Sequence, residues 1–197
     1  MLNYSLKAEP LNTFLDWFES AKAIEQNAEA MAVSTYDTDK NRPNTRFLLF
    51  KGIQNNKIIF YTNYSSPKSM ELGKNPEVCL AFYWHESKRQ VRIHGKVTKM
   101  SLEDSRSYFH SRDRESQLAS YISNQSSPIA DKLILLEKYK DAQNKFEGKE
   151  VPLPPNWGGF LVEPNEYEFF LYGEHRLNDR FLYNFNNDVW TISRLEP

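Results

Sequence analysis

The chain has 197 residues, 40% of them hydrophobic, and a formal net charge of −1 from 25 basic and 26 acidic side chains. That length fits one domain with a sizeable core, and the near-neutral balance excludes a general nucleic-acid binder, whose affinity rests on clustered excess positive charge. A single cysteine, Cys79, excludes an intrachain disulfide and a cysteine-based zinc site, and no apolar run approaches the roughly 20 residues that span a bilayer.

An amphipathic helix is predicted over 10–26, where Leu11, Phe14, Leu15, Trp17, Phe18 and Ala21 recur at three and four. Five strands follow, at 30–36, 45–51, 57–63, 77–85 and 90–100. Turns fall at 41–44 and 54–56, and a short helix over 66–73 separates the third strand from the fourth. Helices are then predicted over 101–112, opened by a cap of Ser101 with Asp104, and over 114–123. A third starts at Ser127-Pro128, a cap followed by proline, and runs to Phe146 with Ile129, Leu133, Leu136 and Tyr139 on one face. The run Val151-Pro152-Leu153-Pro154-Pro155 reads as a stiff extended linker. Strands return at 158–162, 166–172, 180–185 and 189–194, the last two joined by a hairpin turn at Asn186-Asn187-Asp188.

Strands, then helices, then strands imply an α+β fold, a largely antiparallel barrel decorated with helices. The last four strands alone would be marginal, so residues 1–197 read as one domain. It has a short tail over 1–9, a helical insertion over 101–147 and completing strands over 151–197. The N-terminus lacks a basic patch leading into an apolar stretch, so no signal peptide is expected and the protein reads as cytoplasmic, with no membrane partner.

Glycine numbers only 7, and neither GxGxxG nor GxxxxGK[ST] occurs. Any phosphate must therefore be held by arginine, lysine, hydroxyls and backbone amides. Arg46 and Lys51 bracket an apolar strand whose alternation puts Arg46, Leu48 and Phe50 on one face and Phe47, Leu49 and Lys51 on the other. Charges at strand ends also simply reach solvent. After Tyr61 and Thr62 a hydroxyl-rich stretch leads to Lys68 at a helix start, an arrangement that suits an anion and equally suits plain capping. The basic cluster Lys88-Arg89-Gln90-Val91-Arg92 fits either a site or a charged strand edge. Tyr108 and Arg112 are four apart, and Ser116 extends their face if the helix persists, which would make a phosphate clamp with bidentate arginine. An exposed helix with ion pairs fits the same letters. The loop 173–180 is too polar for core, and loops on a rigid scaffold often carry function. The histidines His85, His94, His110 and His175 show no metal-ligand spacing, and Cys79 sits in an apolar run as buried filler.

Taken in order, several of these segments resemble the pyridoxamine 5′-phosphate oxidase family. The resemblance is carried by Arg46-Phe-Leu-Leu-Phe-Lys51, Phe60-Tyr-Thr-Asn63, Arg89-Gln-Val-Arg92, Tyr108-Phe-His-Ser-Arg112 and Gln125-Ser126. It continues through Val151-Pro-Leu-Pro154, Trp157-Gly-Gly159, Arg176-Leu-Asn-Asp-Arg180 and Arg194-Leu195, so it spans almost the whole chain. It implies an FMN-binding split β-barrel and a homodimer with FMN at the subunit interface. FMN contacts are then expected from Arg46, Phe47, Leu48, Leu49, Phe50, Lys51, Tyr61, Thr62, Lys68, Gln90, Gln125, Ser126, Phe170 and Arg180, some from each subunit. The substrate phosphate is expected at Lys51, Tyr108, Arg112 and Ser116, with Arg176 against the pyridine ring and Asn178 beside it as the catalytic pair. The implied reaction oxidises pyridoxamine or pyridoxine 5′-phosphate to pyridoxal 5′-phosphate, with hydride passing from C4′ to flavin N5 and O2 reduced to hydrogen peroxide.

Four positions depart from the family pattern. Asn178 stands where histidine is usual, Phe170 for tryptophan, Leu171 for glutamine and Pro67 for an arginine before the flavin-phosphate lysine. Only nine residues precede Pro10, where the family often carries a basic, aromatic arm. These departures imply weaker FMN retention and slower turnover on an intact fold. They also leave room for a flavoprotein with another substrate, a vitamin B6 phosphate carrier that oxidises nothing, or a dimeric interaction protein that has lost FMN.

Overall fold

A computed structural model of the protein describes residues 6–197. The first five residues of the short tail lie outside this range.

Nine strands form one antiparallel sheet in the order β2-β1-β5-β6-β7-β4-β3, with β8 pairing β7 and β9 pairing β8. The strands are β1 (Ala30–Asp37), β2 (Arg42–Leu49), β3 (Ile53–Gln54), β4 (Lys57–Asn63), β5 (Glu77–Trp84), β6 (Arg89–Lys99), β7 (Trp157–Leu171), β8 (Asp179–Asn186) and β9 (Val189–Leu195). The sheet does not close, which matches the split-barrel expectation. Helices α1 (Pro10–Lys22), α2 (Pro67–Lys74), α3 (Leu102–Ser111), α4 (Arg114–Ile122) and α5 (Lys132–Lys145) pack around it.

Helix α1 begins with Pro10 at its first position, where a missing N–H costs nothing. It buries Phe14, Trp17, Phe18 and Ala21 against the sheet, where Phe50, Phe82, Trp84 and Phe169 complete an aromatic core. It stops at Lys22 rather than at 26, because Ala21 is its last core-facing residue and Ile24 already lies in solvent. Strand β2 begins at Arg42, earlier than expected, and includes Pro43. It pairs only with β1, and an edge strand tolerates a proline that cannot donate to a ladder.

The expected strands 158–162 and 166–172 are one strand, β7. Its first half lies between β4 and β6 and its second between β6 and β8. The register slips between His94 and Gly95, where Asn165 is the extra residue of a bulge. The proline linker therefore leads back into the middle of the same sheet. The turns 55–56 and 187–188 both have two positive φ angles, the geometry of tight type I′ hairpins, and asparagine or aspartate fills all four positions.

Helix α5 does not start at Ser127-Pro128. Residues 127–131 are not helical, and Asp131 caps the helix by accepting from the Leu133 N–H at 2.8 Å. A second, smaller core joins α3, α4 and α5 to the sheet through Phe109, Leu118, Ala142, Phe146 and Trp157. Of the expected apolar face of α5, Leu133 and Leu136 are exposed and Tyr139 is half-buried.

Candidate functional site

Two adjoining cavities open beside β2. The larger, about 730 Å³, lies between β2 and α2; the smaller, about 330 Å³, lies between β2, β4 and the helical insertion. Phe47, Leu48 and Gln125 line both, so the two form one cleft.

Lys68 anchors the larger cavity. It is the second residue of α2, only 6% exposed, with its ammonium held by Thr62 Oγ1 at 2.9 Å, Ser66 Oγ at 2.9 Å and Gln125 Oε1 at 2.7 Å. All three acceptors are neutral. Burial, with Arg46 nearby, pushes its pKa down from 10.5 to about 8, and Glu71 only partly opposes this. A buried cation at a helix N-terminus with no carboxylate bonded to it is suited to a phosphate. Arg46 stands beside it, donating to Thr35 Oγ1 at 2.6 Å and to the buried Glu71 carboxylate at 3.3 Å. Glu71 also takes the Thr35 hydroxyl and the Asn44 amide, so it fixes the guanidinium from below. Pro67 lines this cavity and offers no charge. Ser126 lines it too, on the turn after α4.

Lys51, Tyr61, Tyr108 and Arg112 line the smaller cavity, with Leu49 and Thr62. Tyr61 and Tyr108 stack at 3.7 Å, and Trp157 continues the stack at 5.3 Å from Tyr61. The Arg112 guanidinium lies 5.0 Å from the Trp157 ring and donates to Ser120 Oγ at 2.9 Å. Burial raises the Tyr61 pKa to about 12 and raises that of Tyr108 as well, so both are neutral phenols near neutral pH. The Lys51 side chain is exposed at the rim.

The remaining expected residues line neither cavity. Gln90, Phe170 and Arg180 are directly opposite one another across β6, β7 and β8, so they form a row on one face. Arg180 sits 5.8 Å from the Phe170 ring and is held by the buried Glu168 carboxylate at 2.7 and 2.9 Å, which also takes Arg92. Next to this row, the loop after β7 carries His175 and Arg176 in left-handed backbone conformations, φ 56° and 65°. Asn178 Oδ1 accepts the Gly173 N–H at 3.1 Å and closes the loop. A Cβ on Gly173 would lie 2.0 Å from the Leu177 carbonyl, so only glycine fits there. The Arg176 side chain is exposed.

Two expected residues are placed differently. Phe50 turns into the main core, where its ring meets Phe14, Phe18 and Phe82. Ser116 lines neither cavity; α3 ends at Ser111 and Arg112 is extended, so counting in fours from Tyr108 to Ser116 crosses a helix break. Residues that the sequence reading did not single out are Glu71, Thr35 and Ser120. The first two carried no local signal, since Glu71 meets Arg46 and Thr35 across 25 and 36 residues of chain. Among the described residues no cluster of histidine, cysteine or carboxylate groups could hold a metal, and no helix is long and apolar enough to cross a membrane.

The family described as "Pyridoxamine 5′-phosphate oxidase" matches residues 18–145, and "Pyridoxine 5′-phosphate oxidase C-terminal dimerisation region" matches residues 157–197. The pyridoxine/pyridoxamine 5′-phosphate oxidase of Escherichia coli O157:H7 is 44% identical over 193 residues, covering 98% of this chain and 88% of that one. Its counterpart from Leptospira biflexa is 43% identical over 190 residues, covering 96% and 89%. Among solved structures, PhzG from Burkholderia lata 383 in complex with tetrahydrophenazine-1-carboxylic acid superposes with a TM-score of 0.93 at 25% identity, covering 100% of this chain and 97% of that one. An FMN binding protein from Nostoc punctiforme PCC 73102 has the same fold, with a TM-score of 0.78 at 16% identity, covering 97% and 100%. With two family regions matched in sequence order and near-full-length relatives above 40% identity, the chain belongs to the pyridoxamine 5′-phosphate oxidase family.

Proposed function

We propose that the protein is an FMN-dependent oxidase that converts pyridoxamine 5′-phosphate or pyridoxine 5′-phosphate to pyridoxal 5′-phosphate, with FMN bound at a homodimer interface. The observation that carries this reading is a single cleft with a pair of cations in each part. Lys68 with Arg46 serves one, Lys51 with Arg112 the other, and the apolar β2 segment Phe47-Leu48 runs between them. Two phosphorylated molecules lying side by side need that layout. The donor set fits FMN: Lys68 is buried and bonded only to neutral oxygens, so a phosphate would meet an uncompensated cation.

FMN, when bound, supplies the redox chemistry, accepting hydride at N5 and returning the electron pair to O2 to give hydrogen peroxide. The chain's own residues bind and orient. Arg112 and Lys51 neutralise the substrate phosphate, and the Tyr61–Tyr108–Trp157 stack fixes that end of the cleft before substrate arrives. The row Gln90, Phe170 and Arg180, with Arg176 on its tight loop, lines neither cavity of its own chain. It is the surface that a partner subunit would bring over the cleft, and the C-terminal strands that carry most of it match the family's dimerisation region. Arg176 would then hold the pyridine ring from the far side. Asn178 has no proton to give at neutral pH, so its part is to hold the loop.

The test is aerobic turnover of both substrates by protein supplied with excess FMN, following pyridoxal 5′-phosphate. Turnover that vanishes in Arg112→Ala and in Arg176→Ala is the expected result. Stoichiometric FMN without turnover would overturn the oxidase reading. A second reading, oxidation of a different substrate, draws on the likeness to PhzG, solved with a tricyclic carboxylic acid, and on Phe170, Leu171 and Asn178. Lys51 and Arg112 would meet a carboxylate as readily as a phosphate, so the turnover assay decides between the two readings.

A further inference from the structure

We infer that Ser120 is a ligand of the substrate phosphate and the residue that holds Arg112 in place to receive it. This rests on the reading of the smaller cavity as the site of a phosphorylated substrate.

Ser120 lies in α4 and lines that cavity together with Lys51, Tyr108 and Arg112. Its Oγ accepts from Arg112 Nη1 at 2.9 Å. A serine hydroxyl accepts through its lone pairs and still has one hydrogen to donate. Among the described residues no protein acceptor takes that hydrogen, so it is free to meet an anion in the cavity. The guanidinium is thus fixed twice, by Ser120 at one edge and by the Trp157 ring beneath, and its other N–H groups stay available. An arginine already held in its binding geometry loses less rotamer entropy when a phosphate arrives.

Ser116, the serine that the family resemblance points to, stands one turn earlier on the same face of α4. It belongs to the first turn, where its backbone N–H donates to the capping Asp113 at 2.7 Å, and it lines neither cavity. Ser120 therefore adds a hydroxyl to the clamp, one turn further along α4 and on the wall of the cavity.

Calorimetric titration of the FMN-loaded protein with pyridoxal 5′-phosphate and with unphosphorylated pyridoxal tests the assignment. Ser120→Ala should fold well, since alanine is the better helix former. It is expected to weaken pyridoxal 5′-phosphate roughly tenfold, the loss of one hydrogen bond to a charged group, while pyridoxal changes less than about twofold. Ser120→Thr should recover most of the loss, and KM for pyridoxine 5′-phosphate should rise more than kcat falls. An unchanged affinity for pyridoxal 5′-phosphate in Ser120→Ala, or an equal loss for pyridoxal, would each overturn the inference. Wild-type protein that binds pyridoxal 5′-phosphate without oxidising either substrate would sink the oxidase reading and leave this one standing. Wild-type protein that binds pyridoxal as tightly as its phosphate would sink the assignment of Ser120 whatever the turnover.

Discussion

Lys68 carries a charge in a place that disfavours charge. Its folded pKa, about 8, lies below the ordinary 10.5, so the folded protein binds fewer protons than the unfolded chain between those values. Burying the charged form costs stability below pH 8, and that cost is relieved as pH rises through the window. The FMN-free wild type should therefore gain in thermal midpoint relative to Lys68→Gln as pH rises from 8 to 10.5. FMN binding works in the opposite direction, because a phosphate dianion needs the ammonium. FMN affinity, followed by quenching of flavin fluorescence, should fall as pH rises above about 8, and an affinity equal at pH 7 and pH 9 would contradict the role given to Lys68. Pro67→Arg restores a second cation next to it and should tighten FMN several-fold in the same titration. The cost of a positive charge at a helix N-terminus is only about 0.3–1 kcal/mol. On the other side of the site, Gly173→Ala forces a Cβ against the Leu177 carbonyl and displaces Arg176. A loss of roughly 100-fold in kcat/KM is expected with an unchanged far-UV spectrum.

At the scale of elements, legibility followed the range of the interaction that decides each one. Helix α1 and strands β1, β5, β8 and β9 were readable because period and turn chemistry are local, as Asn187 and Asp188 show with their paired positive φ angles. The start of α5 differs from the sequence reading because two local cap signals compete, Ser127-Pro128 and Asp131, and the chain uses Asp131. β7 was split in two because its middle, Glu163 to Asn165, reads as a turn. The strand survives there through the bulge opposite Gly95, a partner nearly 70 residues away. A Cβ at Gly95 would lie 2.3 Å from the Glu163 carbonyl, so Gly95→Ala should destabilise the protein by about 1–3 kcal/mol in chemical denaturation. The site shows the same division. Lys51, Lys68, Tyr108 and Arg112 were legible from charge and spacing next to hydroxyls and aromatics. Ser120 was not, because the count from Tyr108 and Arg112 reaches Ser116 first, and only the folded contact with Arg112 marks the serine one turn further on.

At the scale of the molecule, the chain presents apolar side chains beside its own cleft. Phe47 is 76% exposed on β2, between the two pairs of cations that line the cleft, and Leu49 follows it. A partner subunit covering this strand would bury them and bring Gln90, Phe170, Arg176 and Arg180 onto the cleft. Phe47→Asp should therefore weaken self-association and FMN retention together, seen by sedimentation and by flavin absorbance of the purified protein. In the proposed dimer one subunit supplies Arg112 to each site and its partner supplies Arg176. Subunit mixing tests this most directly. Arg112→Ala and Arg176→Ala proteins, each inactive alone, are unfolded together, refolded at equal concentration with FMN, and assayed with pyridoxine 5′-phosphate. If each site draws on both subunits, every mixed dimer regains one intact site, and activity should return to about a quarter of the wild-type level. If the mixture stays as inactive as its parents while the mixed dimer forms, the two arginines serve the same subunit's site and the shared-site account is wrong.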